Sequence, residues 1–281
     1  MNRVYQWTIV VFFVVVTGVA KAEGQRLPGK FVWAELITYD IAAAENFYSR
    51  IFGWQFSDEK NYRIAWKRDE PVGGLVFRPR PDDRSAKSRW IAYISVIDIE
   101  SVKKSIMAAN GSAVAEPRNI DGLGELAVFA DNEGALFGLI NSGNSDPEDY
   151  LAEQGEWIWI QLFSRNAKES AQFYQHIGNY QRFDNPQQAG SYLLSRDGYA
   201  RAAVSTISSA HADAKSVWVP FLRVENISEI LDKVRTAGGK VLVEPREDLY
   251  DNRVAMIEAP DGSAVGIMVW SSQTTSGDIS P

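Results

Sequence analysis

Apolar and polar positions alternate in nearly the same way at two places in this chain. FVWAELIT (31–38) and WIWIQLFS (157–164) both read as half-buried strands. Alternate side chains share a face, so Trp33, Glu35 and Ile37 lie together, as do Trp159, Gln161 and Phe163. After the first strand, AAENFYSRIFG puts Phe47, Tyr48, Ile51 and Phe52 on one helical face and ends on Gly53. WQFS, YRIAWKR and GGLVFRP then read as short strands. Beyond the polar loop RPDDRSAKS the order restarts: WIAYISV as strand, IESVKKSIMAANG as helix, then SAVAEP, ELAVFA and ALFGLIN as strands. The later half repeats the plan with WIWIQLF, ESAQFYQHIG, SYLLS and RAAVST, then VWVPFLRV, ISEILDKVRTAGG, KVLVEP, VAMIEA and AVGIMVW.

The repetition is numerical as well as visual. Trp33, Phe47 and Tyr48 recur as Trp159, Phe173 and Tyr174, an offset of 126; Trp90, Glu116 and Gly134 recur as Trp218, Glu244 and Gly262, an offset of 128. Two nearly equal offsets across a whole half identify a tandem duplication. The expected organisation is α+β. One domain runs over 28–142 and a second over 155–271, each made of two βαβββ units, with 143–154 as a polar linker and 272–281 as a polar tail.

The 281 residues carry a formal charge of −7 and no long basic run, which argues against a nucleic-acid partner. The N-terminus changes the picture more. Arg3, the apolar run TIVVFFVVVTGVA and the small residues AKA ending at Ala22 have the order of a secretory signal peptide over 1–22. An uncleaved anchor is the other reading of the same residues. Cleavage removes two bases and no acid, leaving 27 bases against 36 acids and a charge of −9. With no cysteine there is no disulfide, and export without disulfides fits a bacterial periplasm, with no membrane contact once the signal is cut.

The opening ELITYDIAAAENFYSRIFGWQF and the endings DNEGALFGLINS and APDGSAVGIMVW resemble the vicinal oxygen chelate superfamily, the group of glyoxalases, bleomycin-resistance proteins and extradiol dioxygenases. The resemblance implies that paired βαβββ units curl their mixed sheet into a bowl, with helices outside and the ligand inside. It also implies a divalent metal held by His and Glu of the bowl strands. The positions carried over are occupied here by Trp33 and Trp159, by Trp90 or Ile91 and Trp218 or Val219, and by Gly138 and Gly266, none of which is a ligand type. The mature chain has only two histidines. His176 reads as a helical packing residue and His211 as part of a loop, so the expectation is no bound metal and no cofactor. A carboxylate-only site around Glu35 stays open.

What remains for the bowls is an aromatic wall with one polar group, the usual form of a small-molecule pocket. Trp33, Glu35, Tyr93, Trp159, Gln161 and Phe221 are the expected ligand-binding residues, with Gly138 and Gly266 expected to free volume beside them. Glu35 is also a candidate general acid or base, since a carboxylate in apolar surroundings is held toward its neutral form. If buried, it needs a partner, and Arg63 or Arg78 is the expected one. The function expected is binding or sequestering a small organic molecule. The alternatives are an enzyme of the family type, acid–base chemistry at Glu35, and an interaction module with filled bowls. Whether two chains pair is left open. GLG at 122–124 precedes a strand and not a helix, so it is no phosphate cradle.

Overall fold

The computed structural model describes residues 25–59, 62–83, 86–143, 145–185, 188–208, 213–247 and 250–270; the expected signal segment, His211 and the expected tail lie outside them. The first unit is β1 (Phe31–Thr38), α1 (Ile41–Phe52), β2 (Gln55–Phe56), β3 (Tyr62–Lys67) and β4 (Glu70–Phe77). The second is β5 (Arg89–Ser95), α2 (Ile99–Ala108), β6 (Ser112–Ile120), β7 (Gly124–Ala130) and β8 (Leu136–Ser142). The third is β9 (Trp157–Ser164), α3 (Ala167–Gly178), β10 (Gln181–Asp184), β11 (Ser191–Arg196) and β12 (Tyr199–Thr206). The fourth is β13 (Val217–Val224), α4 (Ile227–Thr236), β14 (Lys240–Val243), β15 (Val254–Glu258) and β16 (Ala264–Val269). Strand β10, QRFD, was not among the expected strands, because only Phe183 in it is apolar and no alternation marks it.

Each helix begins where a side chain replaces a missing backbone partner. Asp40 accepts from the Ala43 amide to open α1, and Asn166 accepts from Glu169 to open α3. Gly53 closes α1 in the left-handed conformation at φ 71°, and Asn179 does the same for α3 at φ 51°. His176 is exposed on α3, not packed against the apolar face as expected, because Phe173, Tyr174 and Ile177 fill that face.

The strands form two eight-stranded mixed sheets, ordered β2-β3-β4-β1-β5-β8-β7-β6 and β10-β11-β12-β9-β13-β16-β15-β14. The two orders match strand for strand, as a duplication requires. Within each sheet the two units meet at an antiparallel seam, β1 with β5 and β9 with β13. One face of each sheet is concave and the other carries the helices.

The helix-bearing faces of the two sheets share their cores. Leu36, Phe47, Tyr48 and Trp54 of the first unit and Trp90 of the second pack with Leu222, Ile230, Val234 and Ile267 of the fourth. Ile94, Ile106, Phe129 and Phe137 of the second pack with Leu162, Phe173 and Tyr174 of the third and Trp218 of the fourth. Polar groups cross the same boundary in pairs. Trp90 Nε1 donates to Tyr48 Oη at 2.7 Å, and that hydroxyl meets Ser263 Oγ at 2.9 Å. Trp218 Nε1 donates to Tyr174 Oη at 2.7 Å, and Tyr174 donates to Asp131 Oδ2 at 2.9 Å. Each turn before a last strand therefore reaches into the other half of the chain. The stretch expected to be a plain linker is tied down too. Buried Asp146 accepts from the Leu27 amide and from Ser95 and Ser142, and Asp149 is bidentate to Arg201.

Because the Trp90 and Trp218 indoles have a tyrosine hydroxyl as their only acceptor among the described residues, Tyr48→Phe and Tyr174→Phe are each expected to destabilise the fold by about 1–3 kcal/mol, the cost of leaving a buried donor unpaired. Urea unfolding of the two variants checks this, with the larger cost expected for Tyr174→Phe, which also takes the phenol donor from buried Asp131.

Candidate functional site

The concave face of the first sheet is built by strict alternation. Trp33, Glu35 and Ile37 of β1 stand beside Ile91 and Tyr93 of β5, with Trp33 opposite Tyr93 and Glu35 opposite Ile91. Leu126, Val128 and Ile140 from β7 and β8 extend the floor, and Ile64 of β3 closes the other side. Of the alternatives weighed for the strand opening the second unit, Ile91 faces the bowl while Trp90 belongs to the core behind it. Val219 and Trp218 divide in the same way in the second sheet.

Glu35 lies at the centre of this floor and is 0% exposed. Arg118 Nη2 reaches both its oxygens, at 2.9 Å to Oε1 and 2.7 Å to Oε2, and the Tyr93 hydroxyl donates to Oε2. The Tyr62 hydroxyl, which accepts from Trp33 Nε1 at 3.1 Å, also faces the carboxylate. The Arg118 guanidinium sits 5.9 Å from the centre of the Tyr62 ring. The partner of Glu35 is thus Arg118, not Arg63 or Arg78. Arg63 is one residue out of phase with Tyr62 and Ile64, so it turns to the other face and pairs with Glu45 of α1. Arg78 lies past the end of β4 and donates to the Phe77 carbonyl.

Arg118 is on β6, four strands from β1 in the sheet order. In a flat sheet that separation is about 19 Å, farther than an arginine side chain spans. The contact exists only because the sheet curls, so the Glu35–Arg118 pair is direct evidence of the bowl.

Glycines make the floor fit. A Cβ on Gly138 would lie 2.1 Å from the Tyr93 ring, and one on Gly74 would lie 2.5 Å from the Tyr62 hydroxyl. The space expected to be free at Gly138 is therefore taken by Tyr93, and the space at Gly266 by Phe221, whose ring is 2.1 Å from the corresponding Cβ position. Where the resemblance implies metal donors, the first bowl presents an indole, an isoleucine and a glycine under a phenol ring. Among the described residues, no group of three or more His, Cys, Asp or Glu is placed to hold a metal ion. The donors present do not fit a divalent cation, which needs several carboxylates or imidazoles converging on one point.

The second bowl keeps the geometry and changes the chemistry. Gln161 pairs with Ala203 as Glu35 pairs with Gly74, and Phe221 lies opposite Trp159 as Tyr93 lies opposite Trp33. Gln161 Oε1 accepts from Trp159 Nε1 at 3.2 Å, and its Nε2 donates to Ser205 Oγ at 2.6 Å. Ser191, in the register position of Tyr62, donates to the same Ser205 oxygen at 2.8 Å. Buried Phe221 and Met268 and half-buried Trp159, Phe163 and Met256 surround the amide. The structure therefore places all six expected ligand-binding residues on concave faces, three in each bowl. It adds Arg118 and Tyr62, which the sequence did not single out, although Arg118 stands in the repeated EPR and Tyr62 in a strand of the correct phase.

Burial pushes the Tyr62 and Tyr93 phenols well above the usual tyrosine range, and the negative charge of Glu35 adds to it. Below about pH 10, tyrosine is neutral in the folded and unfolded chain alike and this contribution to stability is fully present. Above that pH the unfolded chain loses phenol protons that the bowl retains, so stability falls as pH rises. Melting temperature followed from pH 8 to 11 is expected to fall above about pH 10, and the Tyr62→Phe, Tyr93→Phe double variant is expected to fall less steeply.

The comparisons with known proteins agree with this geometry. The model of the glyoxalase/bleomycin resistance protein/dioxygenase superfamily matches residues 30–139 and again 158–267. CFP32 of Mycobacterium tuberculosis, provisionally named a glyoxylase, is 23% identical over 243 residues, covering 84% of this chain and 93% of its own. The anthracycline biosynthesis protein DnrV of Streptomyces peucetius is 22% identical over 258 residues, covering 86% and 93%. Among solved structures, the Mn(II)-bound glyoxalase from Novosphingobium aromaticivorans superposes with a TM-score of 0.61 at 14% identity, over 86% of this chain and 82% of that one. Homoprotocatechuate 2,3-dioxygenase from Brevibacterium fuscum gives 0.60 at 15% identity, over 89% and 83%. These structural likenesses speak to fold alone. With the family model matched twice in tandem over most of its length, this chain belongs to the glyoxalase/bleomycin resistance protein/dioxygenase superfamily.

Proposed function

We propose that this protein is exported and binds a small organic molecule in the first bowl without a catalytic divalent ion. The observation that carries this reading is the Tyr93 ring lying on Gly138, where the family resemblance puts a carboxylate ligand. A phenol there, hydrogen-bonded to Glu35, organises the floor of the bowl by protein contacts alone. Around it stand half-buried apolar side chains, Ile37, Ile64, Ile120, Leu123 and Leu136, which offer area for affinity while the polar centre sets orientation. The relative named for anthracycline biosynthesis favours a planar aromatic molecule as the ligand class.

Acid–base chemistry at Glu35 is the second reading, favoured by a buried carboxylate in contact with two phenols and a guanidinium. Its weakness is access. Glu35 is fully covered by its own partners, so a substrate proton reaches it only through Tyr93, Tyr62 or Arg118.

Calorimetric titration of the full chain with a panel of planar aromatic ketones, phenols and acids tests the proposal. Saturable binding of one molecule per chain, weakened in Trp33→Ala and Tyr62→Ala, is the expected result. Heats that never saturate for any compound would mean bowls filled by their own side chains. Turnover of a bound compound that is lost in Glu35→Gln while binding persists would favour the second reading.

A further inference from the structure

Arg118 divides its contacts unevenly. Nη2 alone serves Glu35, and Nη1 and Nε make no hydrogen bond among the described residues. Its side chain is 35% exposed while that of Glu35 is 0% exposed, so the arginine is the part of the pair that a molecule entering the bowl meets. The carboxylate behind it fixes the guanidinium plane and cancels its charge. Tyr62, beneath the guanidinium, restricts it further. What faces the ligand is a set of oriented N–H donors with no net charge, surrounded by isoleucine and leucine side chains.

That combination selects by chemistry. An anion gains little from a guanidinium whose charge is already answered, and it loses its hydration on an apolar wall. A cation meets donors and no available acceptor. An uncharged molecule with a carbonyl oxygen accepts from Nη1 or Nε and covers the wall with its apolar body. We infer that Arg118 is the ligand-reading residue of the first bowl, that Glu35 is a positioning residue acting through it, and that the pair selects an uncharged, planar, carbonyl-bearing molecule. This inference rests on the proposed binding role of the same bowl and adds which group reads the ligand and which ligand class it takes. The second bowl has Gln161 in place of Glu35 and no carboxylate at that position to set an arginine in this way.

The test uses the full chain and two probes of similar shape, uncharged 1,4-naphthoquinone and anionic 1-naphthoate, titrated by calorimetry; the chain has no cysteine for the quinone to modify. Wild type is expected to bind the quinone more tightly than the acid. Arg118→Leu is expected to weaken quinone binding by about 10- to 100-fold, the worth of hydrogen bonds from a charged donor. Arg118→Lys, which keeps the charge and loses the planar fork, is expected to fall between them. Glu35→Gln is expected to reverse the order, with naphthoate now preferred, because Arg118 regains an unanswered charge. A purely structural Glu35 would change stability without reversing that preference. If Arg118→Leu does not fold, the Lys and Gln variants decide the matter alone. Quinone affinity that is unchanged in both arginine variants, or a preference that Glu35→Gln leaves as it was, would overturn the inference. So would failure of wild type to bind the quinone. If other aromatics still bind, the proposed function stands without this inference; if none does, both fall.

Discussion

A charge buried at the centre of a sheet has to be answered, and Glu35 is answered from both sides of its strand. Tyr93 approaches from the neighbouring strand, Tyr62 from two strands away on the other side, and Arg118 from four strands away across the curl. The Arg118 contact is therefore out of reach in a flat sheet, and full pairing of the carboxylate depends on the curl. An unpaired carboxylate in this position would cost several kcal/mol, a large share of the stability of an ordinary domain. Gly74 and Gly138 belong to the same constraint, since each lies under the ring of a tyrosine that serves Glu35.

The duplication shows which parts of the design are fixed by folding and which are free to change. The indole–phenol contacts behind the sheets are kept, Trp90 on Tyr48 and Trp218 on Tyr174, both at 2.7 Å, while the next partner changes from Ser263 to Asp131. In front, the floor has diverged as a set. Glu35, Tyr93 and Tyr62 stand in register with Gln161, Phe221 and Ser191. Losing the carboxylate removes the need for phenol donors, and the replacements are an amide and a hydroxyl that both donate to Ser205 Oγ, with a phenyl ring beside them. The glycine beneath the aromatic ring survives in both halves, at Gly138 and Gly266, because the ring itself survives. A concave face that changes in concert while the packing behind it stays constant puts two different polar centres on one scaffold.

Much of this was legible in the sequence. Offsets of 126 and 128 revealed the duplication, and period-2 alternation put Trp33 with Glu35 and Trp159 with Gln161 on one face of each strand, which the family resemblance turned toward the bowl. Strand β10 escaped because QRFD has one apolar residue and is held by pairing with β11, not by its own pattern. Arg118 escaped for a different reason. Its contact with Glu35 spans 83 positions and four strands, and no local period carries that information. Arg63 and Arg78 were the expected partners because they were near in sequence, yet phase turns one away and strand length leaves the other outside. Gly138 was read as space left behind by a missing carboxylate. In the folded chain it is the space a tyrosine needs.

Protein contacts around Glu35 organise the floor of the first bowl, and the proposed function leaves no role there for a metal. The most direct test is elemental analysis of the protein purified without chelators and then incubated with Zn, Mn, Fe and Ni. None of these is expected to stay bound at stoichiometric level after desalting. One ion per chain, lost in Glu35→Ala, would contradict that reading and return the first bowl to metal chemistry.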